Sequence, residues 1–230
     1  MEKPVSPFKK FLAFFGSGMA AGAAIGVGGW SYATLRTIEP YGAFLGALAF
    51  SLGIILVCVS GLMLFTGKIG YLFRDWLFSR NGKKTDFGAR WFALGMILLG
   101  NILGAYIIGI FAHYLGPWES IASIVAAKTD YNWGWSFAKA CLCGVLVYAG
   151  VDLYRINKGV LGTFLVAICI AAFVLLGFDH CVANAFYWGG AVDTASWNYI
   201  AKSVLLCALG NSLGAIAVDT AKRGLSNVAL

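Results

Sequence analysis

The chain writes one phrase twice. Leu-Gly-Asn-x-Leu-Gly-Ala stands at residues 99–105 and again at 209–215, 110 residues apart in a chain of 230. Each copy sits in an apolar stretch. A membrane protein made of two related halves is a common transport architecture, with the pathway between the halves. Composition agrees: 60% of residues are hydrophobic, 12% are charged, and mean hydropathy is +0.80. That is the balance of an all-α integral membrane protein, not of a soluble domain.

Six apolar segments are predicted, roughly 11–35, 41–66, 91–115, 135–153, 159–189 and 197–220, against the ~20 residues that cross a hydrocarbon core. The basic residues are unevenly placed around them. Lys3, Lys9, Lys10, Lys68, Arg74, Arg80, Lys83, Lys84, Arg90, Arg155, Lys158, Lys222 and Arg223 fall on one side, thirteen of the seventeen Lys and Arg. Arg36 and Lys128 fall on the other, and Lys139 and Lys202 lie near or inside spans. The positive-inside rule then places both termini in the cytoplasm of a multi-pass inner or plasma membrane protein. The net charge of +7 is read as loop charge, with no nucleic-acid partner. Lys9-Lys10, the apolar run and Met19-Ala20-Ala21 resemble a signal peptide, but the run continues to about Trp30 and reads as a retained first span.

Each half holds three spans, so the second half inserts upside down. The expectation is one channel domain over 1–230, with half-repeats at approximately 8–115 and 120–223. Gly100/Gly104 and Gly210/Gly214 have the small-residue spacing found at many helix contacts. The asparagine at the same offset in both copies adds to that spacing. The phrase reads as scaffold, holding the third and sixth spans close.

The second and fifth segments are broken. Gly61, Thr66, Gly67 and Gly70 crowd the end of the second, with Lys68 among them. The fifth carries Gly-Phe-Asp-His-Cys-Val-Ala-Asn at 177–184, which puts Asp179 and His180 in an otherwise apolar run. Thr66 lies 35 residues before Asn101, and His180 lies 31 before Asn211, so the breaks occupy matching places. Irregular backbone at membrane depth survives only when buried or lining a wet cavity. Half-helix N-termini there favour anions, and an ionisable side chain at that depth is a functional candidate. His180 is therefore the leading candidate; His113, beside Tyr114, reads as interfacial.

These segments resemble the formate/nitrite transporter family over essentially the whole chain. The resemblance rests on AFSLGIILVCVSG at 49–61, LFTG at 64–67, GNILGA at 100–105, AAKT at 126–129, FVLLGFDHCVANAF at 173–186 and LGNSLGA at 209–215. It implies a homopentamer in membrane lipid, with an aquaporin-like protomer of six helices, the second and fifth broken. Each protomer would carry its own narrow pore for a small monovalent anion: formate, nitrite or hydrosulfide. By position it makes His180 the central histidine and Thr66 its loop partner. It places Phe50, Ile54, Leu64, Phe65 and Phe173 at hydrophobic constrictions and Lys128 in an anion-attracting outer vestibule. Asp179 and Asn184 would support the second break. The chain departs from the family at Met63, where an acidic or polar residue is usual, and at Gly144, where an asparagine is usual. Both changes remove polar groups near the expected pore.

A bare anion in hydrocarbon is prohibitively costly. Lys128 and the half-helix ends would attract it, and His180 would supply a proton so that it crosses the constrictions as the neutral acid. Thr66 would hydrogen-bond both. Asp179 either fixes the loop through backbone N–H groups or pairs with a cation.

Two other classes were weighed. An aquaporin-like neutral-solute pore suits the span count but should carry two Asn-Pro-Ala motifs, and Val182-Ala183-Asn184 is not one. A membrane redox or haem subunit could use His113 and His180, but the predicted depths of the two differ. The six cysteines, at 58, 141, 143, 169, 181 and 207, lie in apolar segments as small hydrophobes. Trp133, Trp135, Trp188 and Trp197 read as an interfacial belt. Neither a cofactor nor an enzymatic activity is expected, and the basic loop at 80–86 reads as solvated.

Overall fold

The computed structural model describes residues 6–77, 87–130 and 132–226. Lys3 and the basic loop with Arg80, Lys83 and Lys84 lie outside the described residues, as does the side chain of Arg74. Among the described residues every regular element is a helix, as a bilayer demands of a backbone that must satisfy its own hydrogen bonds. In chain order they are α1 (Pro7–Leu35), α2 (Gly42–Val59), α3 (Phe65–Leu77), α4 (Phe87–Leu115), α5 (Trp118–Thr129), α6 (Trp133–Asn157), α7 (Gly159–Leu175), α8 (Cys181–Gly190) and α9 (Trp197–Ser226). Helices α1, α2, α4, α6 and α9 are long and apolar enough to cross a membrane, and α7 is a shorter apolar helix. The six predicted spans are α1, α2 with α3, α4, α6, α7 with α8, and α9.

Two predicted boundaries move. The second span does not end at 66, because α3 continues to Leu77. Gly67 and Gly70 belong to α3 rather than to the break. They let α3 lie against α6: a Cβ on Gly67 would meet Val151 at 3.3 Å, and one on Gly70 would strike the Tyr148 ring. The breaks themselves are 60–64 and 176–180. Each is turned by a glycine with left-handed backbone, Gly61 at φ 66° and Gly177 at φ 64°, a conformation open to glycine at little cost. Helix α5 was not anticipated. Pro117 stands at its N-cap, and its buried Ile121, Ile124 and Val125 face inward at helical spacing.

The repeated phrase packs within each half. On α4, side chains at Gly100 and Gly104 would collide with the carbonyls of Phe15 and Met19 on α1; on α9, Gly210 and Gly214 sit the same way against Ala140 and Cys141 on α6. With lipid as apolar as the helices, close backbone approach supplies the packing. The phrase thus fastens α4 to α1 and α9 to α6, instead of drawing the third and sixth spans together. α1 and α4 run parallel, as do α6 and α9, and Lys222 on α9 pairs with Asp152 near the end of α6.

Trp188 departs from the belt reading. It is 1% exposed, against 42–71% for Trp133, Trp135 and Trp197, and its ring meets Tyr199 edge-on at 5.6 Å.

Candidate functional site

Each break is clamped by the asparagine of the repeated phrase. The Phe65 N–H donates to Asn101 Oδ1 at 2.8 Å, and Asn101 Nδ2 donates to the carbonyls of Gly18 and Met63 at 2.8 and 2.9 Å. In the other half, the Cys181 N–H donates to Asn211 Oδ1 at 2.9 Å. Asn211 Nδ2 donates to the carbonyls of Ala140 and Asp179, both at 2.8 Å. Both side chains are fully buried. The three bonds match one for one, so Phe65 corresponds to Cys181, Met63 to Asp179 and Gly18 to Ala140. Two inverted halves thus share one internal geometry, and the asparagines are clamps on the breaks as well as helix-packing residues.

This correspondence corrects the pairing of Thr66 with His180 by sequence distance. The counterpart of His180 is Leu64, and that of Thr66 is Val182. It also changes the reading of the half-helix ends. The Phe65 and Cys181 N–H groups are held by the asparagines, and the Ala183 N–H donates to His180 Nδ1 at 3.2 Å. These donors are occupied by the protein rather than offered to an anion.

Thr66 and His180 nevertheless meet. Thr66 Oγ1 lies 3.0 Å from His180 Nε2, with the two residues 0% and 2% exposed. Because Nδ1 accepts the Ala183 N–H, the neutral ring carries its proton on Nε2. Nε2–H then donates to Thr66 Oγ1, and the threonine hydroxyl hydrogen is left for a third partner. Against this pair stands a row of rings. Phe50 and Phe173 meet edge-on at 5.6 Å, and Phe173 lies 5.8 Å from the His180 ring. Phe50, Ile54, Leu64, Phe65 and Phe173 are all buried; Phe50 and Phe173 are linked to His180 by their rings, and Leu64 and Phe65 immediately precede Thr66 in the chain.

Two cavities flank this dry centre. One, of about 230 Å³, is lined by Phe173, Lys128, Asn184, Tyr187, Arg36 and Lys139, among others. The second, of about 400 Å³, is lined by Leu64, Val57, Lys68, Tyr71, Tyr154 and Arg155, among others. Counted from Phe65 and Cys181, their linings correspond: Val57 with Phe173, Gly61 with Gly177, Lys68 with Asn184 and Tyr71 with Tyr187. Counted from Gly18 and Ala140, Tyr32 corresponds to Tyr154. The cavities are equivalent mouths of the two halves, called here the Lys128 vestibule and the Lys68 vestibule. Neither Thr66 nor His180 lines either.

Lys128 does line its vestibule, but not as a bare charge. Its Nζ is 2.6 Å from Asp179 Oδ1, with the carboxylate side chain 1% exposed. Asn184 Nδ2 and Ser136 Oγ donate to the same carboxylate at 3.1 and 3.4 Å. Of the two readings of Asp179, the pairing with a cation is the one found. Arg36 and Lys139 line the same vestibule and make the mouth basic despite that pairing. Ser136 was missed in the sequence, since nothing in its neighbourhood marks it.

Of the two departures from the family pattern, Gly144 resolves into packing, while at Met63 the backbone, not the side chain, is engaged. The Met63 N–H donates to Ser17 Oγ at 3.1 Å, and its carbonyl belongs to the Asn101 clamp. A Cβ on Gly144 would run into the backbone of Asn211, as one on Gly22 would into Asn101. Gly144 is a contact point between α6 and α9 with no room for an asparagine. His113 donates from Nδ1 to the Gly190 carbonyl at 3.1 Å and meets Tyr114 edge-on.

Comparison with known proteins bears on the family and the fold. A family model described as formate/nitrite transporter matches residues 6–221. The formate channel FocA of Haemophilus influenzae is 28% identical, covering 95% of this chain and 88% of its own length. The nitrite transporter NirC of Salmonella typhimurium is 27% identical over 89% of this chain and 80% of its own. These relatives are transport proteins, not enzymes. Among solved structures, an FNT family ion channel superimposes with a TM-score of 0.81 at 23% identity, covering 94% of this chain and 90% of that one. A pentameric formate channel with formate bound gives 0.76 at 23%, over 96% and 98%. At that identity the likeness is one of fold.

Proposed function

The chain belongs to the formate/nitrite transporter family, and from that premise we propose that it is a channel for small monovalent anions of weak acids: formate, nitrite or hydrosulfide. The observation that carries this reading is the Thr66–His180 hydrogen bond, buried between two basic vestibules and touching neither. An anion drawn into a vestibule meets an apolar seal that it crosses cheaply only without its charge. At that seal stands an imidazole, a side chain that can both take up and give up a proton.

In this reading His180 is the site where the anion gains its proton. A ring protonated on both nitrogens passes its Nε2 proton to Thr66 Oγ1, and Thr66 gives its own hydroxyl proton to the anion. The ring is left neutral with its remaining proton on Nδ1, formate becomes formic acid or hydrosulfide becomes dihydrogen sulfide, and a proton taken from the water on the side the anion came from recharges the ring at Nε2 through Thr66. The neutral acid passes the ring row and releases its proton in the far vestibule. Loading the second proton requires Nδ1 to give up the Ala183 N–H, so charging the ring loosens the first turn of α8. Arg36 and Lys139, with the paired Lys128, concentrate anion at one mouth. The assembly is a homopentamer in a cell membrane with both termini cytoplasmic. The pentameric relative supports the first point and the distribution of basic residues the second.

Purified protein in proteoliposomes tests this reading with a panel of formate, nitrite, hydrosulfide, acetate and chloride across pH. The reading expects flux of the first three, rising as pH falls, with chloride excluded. Chloride flux equal to that of formate, or no flux of any weak-acid anion, overturns it.

A further inference from the structure

The two vestibules are lined by corresponding positions but differ in their charges. Where Asn184 stands in one mouth, Lys68 stands in the other, one turn into α3 and two residues from Thr66. Where Asp179 neutralises Lys128, its counterpart is the uncharged Met63. Lys68 is exposed and has no carboxylate partner among the described residues. The Lys68 vestibule is also lined by Arg155, and among the described residues no acidic side chain lines it.

Arg155 is held in an unusual way. Its guanidinium lies over the Tyr71 ring, 4.0 Å from the centroid. Among the described residues the carboxylate it meets is Asp152, 3.7 Å away at Oδ1 and already engaged elsewhere. Tyr71 Oη donates to that Oδ1 at 2.9 Å, and Lys222, from the last turns of α9, takes Oδ2. With both oxygens in use, Asp152 makes no close bidentate pair with Arg155, the geometry a free carboxylate would favour. The guanidinium stays stacked on the aromatic face that lines the cavity.

We propose that Lys68 and Arg155 form an anion-capturing station in the Lys68 vestibule, and that Lys222 is a positioning residue that keeps Arg155 available by occupying Asp152. The station takes the transported monovalent anion itself, at the mouth opposite Lys128. It rests on the channel reading above. Tyr71 serves as its platform, and the end of α9 becomes part of the transport apparatus through one ion pair.

The test is formate uptake at low ionic strength in vesicles sorted for a single protein orientation, measured from each face. R155Q and K68Q are expected to raise the half-saturating formate concentration from the Lys68 face by about threefold or more, with the maximal rate from that face and the half-saturating concentration from the Lys128 face retained. K222Q is expected to act like a weaker R155Q, and K222R to restore the wild-type value. The double variant R155Q/K222Q separates positioning from general surface charge: if Lys222 acts through Arg155, it behaves like R155Q alone. Additive effects in the double variant overturn the positioning role. R155Q and K68Q that match a conducting wild type from both faces overturn the station. A wild type that passes no weak-acid anion overturns the channel reading instead. Size-exclusion elution of each variant in detergent confirms that it folds.

Discussion

Thr66 and His180 come from opposite halves of the chain and meet at 3.0 Å, in a spot that neither vestibule reaches. The inverted repeat builds everything around them symmetrically, then fills the corresponding positions differently. Leu64 stands where its counterpart in the other half is His180. In the proposed reading the one closes the pore and the other exchanges the proton.

The clamps are predicted to matter equally in both halves. Asn101→Ala and Asn211→Ala each strip partners from a buried backbone N–H and two buried carbonyls, at about 1–3 kcal/mol for each unpaired group. Both variants should melt markedly below wild type in detergent, by similar amounts. Thermal unfolding followed by size exclusion checks this, and a stable Asn101→Ala beside an unstable Asn211→Ala would contradict the shared geometry.

Gly144 should resist the asparagine that the family resemblance leads one to expect there. Gly144→Asn, and even Gly144→Ala, forces α6 away from the Asn211 backbone, and the mirror variant Gly22→Ala forces α1 from Asn101. Overpacking of this kind costs about 1–3 kcal/mol or more. The yield of monodisperse protein should fall for both, while the flux per folded channel of any Gly144→Ala that survives stays near wild type.

Lys128 is expected to be a stability residue before it is a steering residue. Lys128→Gln leaves Asp179 buried without its cation, a change worth about 3–5 kcal/mol. Lys128→Gln/Asp179→Asn removes both charges and should be the more stable of the two variants by thermal melting. Steering at that mouth falls instead to Arg36 and Lys139. Arg36→Gln/Lys139→Gln should slow uptake of dilute formate at 10 mM salt, and the difference should fade at about 1 M, where the screening length is about 3 Å.

Opening the ring row should cost selectivity. Phe173→Ala removes the ring that touches both Phe50 and His180 and lets water into the seal. A chloride leak should appear in proteoliposomes where wild type shows none, with formate flux less dependent on pH.

Much of this was legible in the sequence, for identifiable reasons. Span positions follow from apolar runs, and the inversion from an odd number of spans per half. His180, Thr66 and Lys128 stood out as polar groups in apolar surroundings or through the family resemblance. What stayed hidden depends on contacts between distant residues. Nothing local in the sequence says that Asn101 reaches Phe65, or that Lys128 on α5 pairs with Asp179. The offset between the breaks differs from the offset between the asparagines, because the connections within each half differ in length. Counting along the chain therefore matched Thr66 with His180 when the hydrogen bonds match Leu64 with it. α5 did leave a signal, in Ile121, Ile124 and Val125 at helical spacing after Pro117.

The central claim is that His180 exchanges a proton with the passing anion, beyond holding the helix break together. His180→Asn separates the two roles, because an asparagine amide can accept the Ala183 N–H and donate to Thr66 but cannot take up and pass on a proton. The decisive measurement is the rate of formate uptake into proteoliposomes from pH 5 to pH 8 for wild type and His180→Asn. The account predicts a folded variant whose uptake is at least about a hundredfold slower, the lower end of what a proton-transfer group contributes, and whose pH profile is flat. A variant that keeps the wild-type rate and the wild-type pH profile would contradict it.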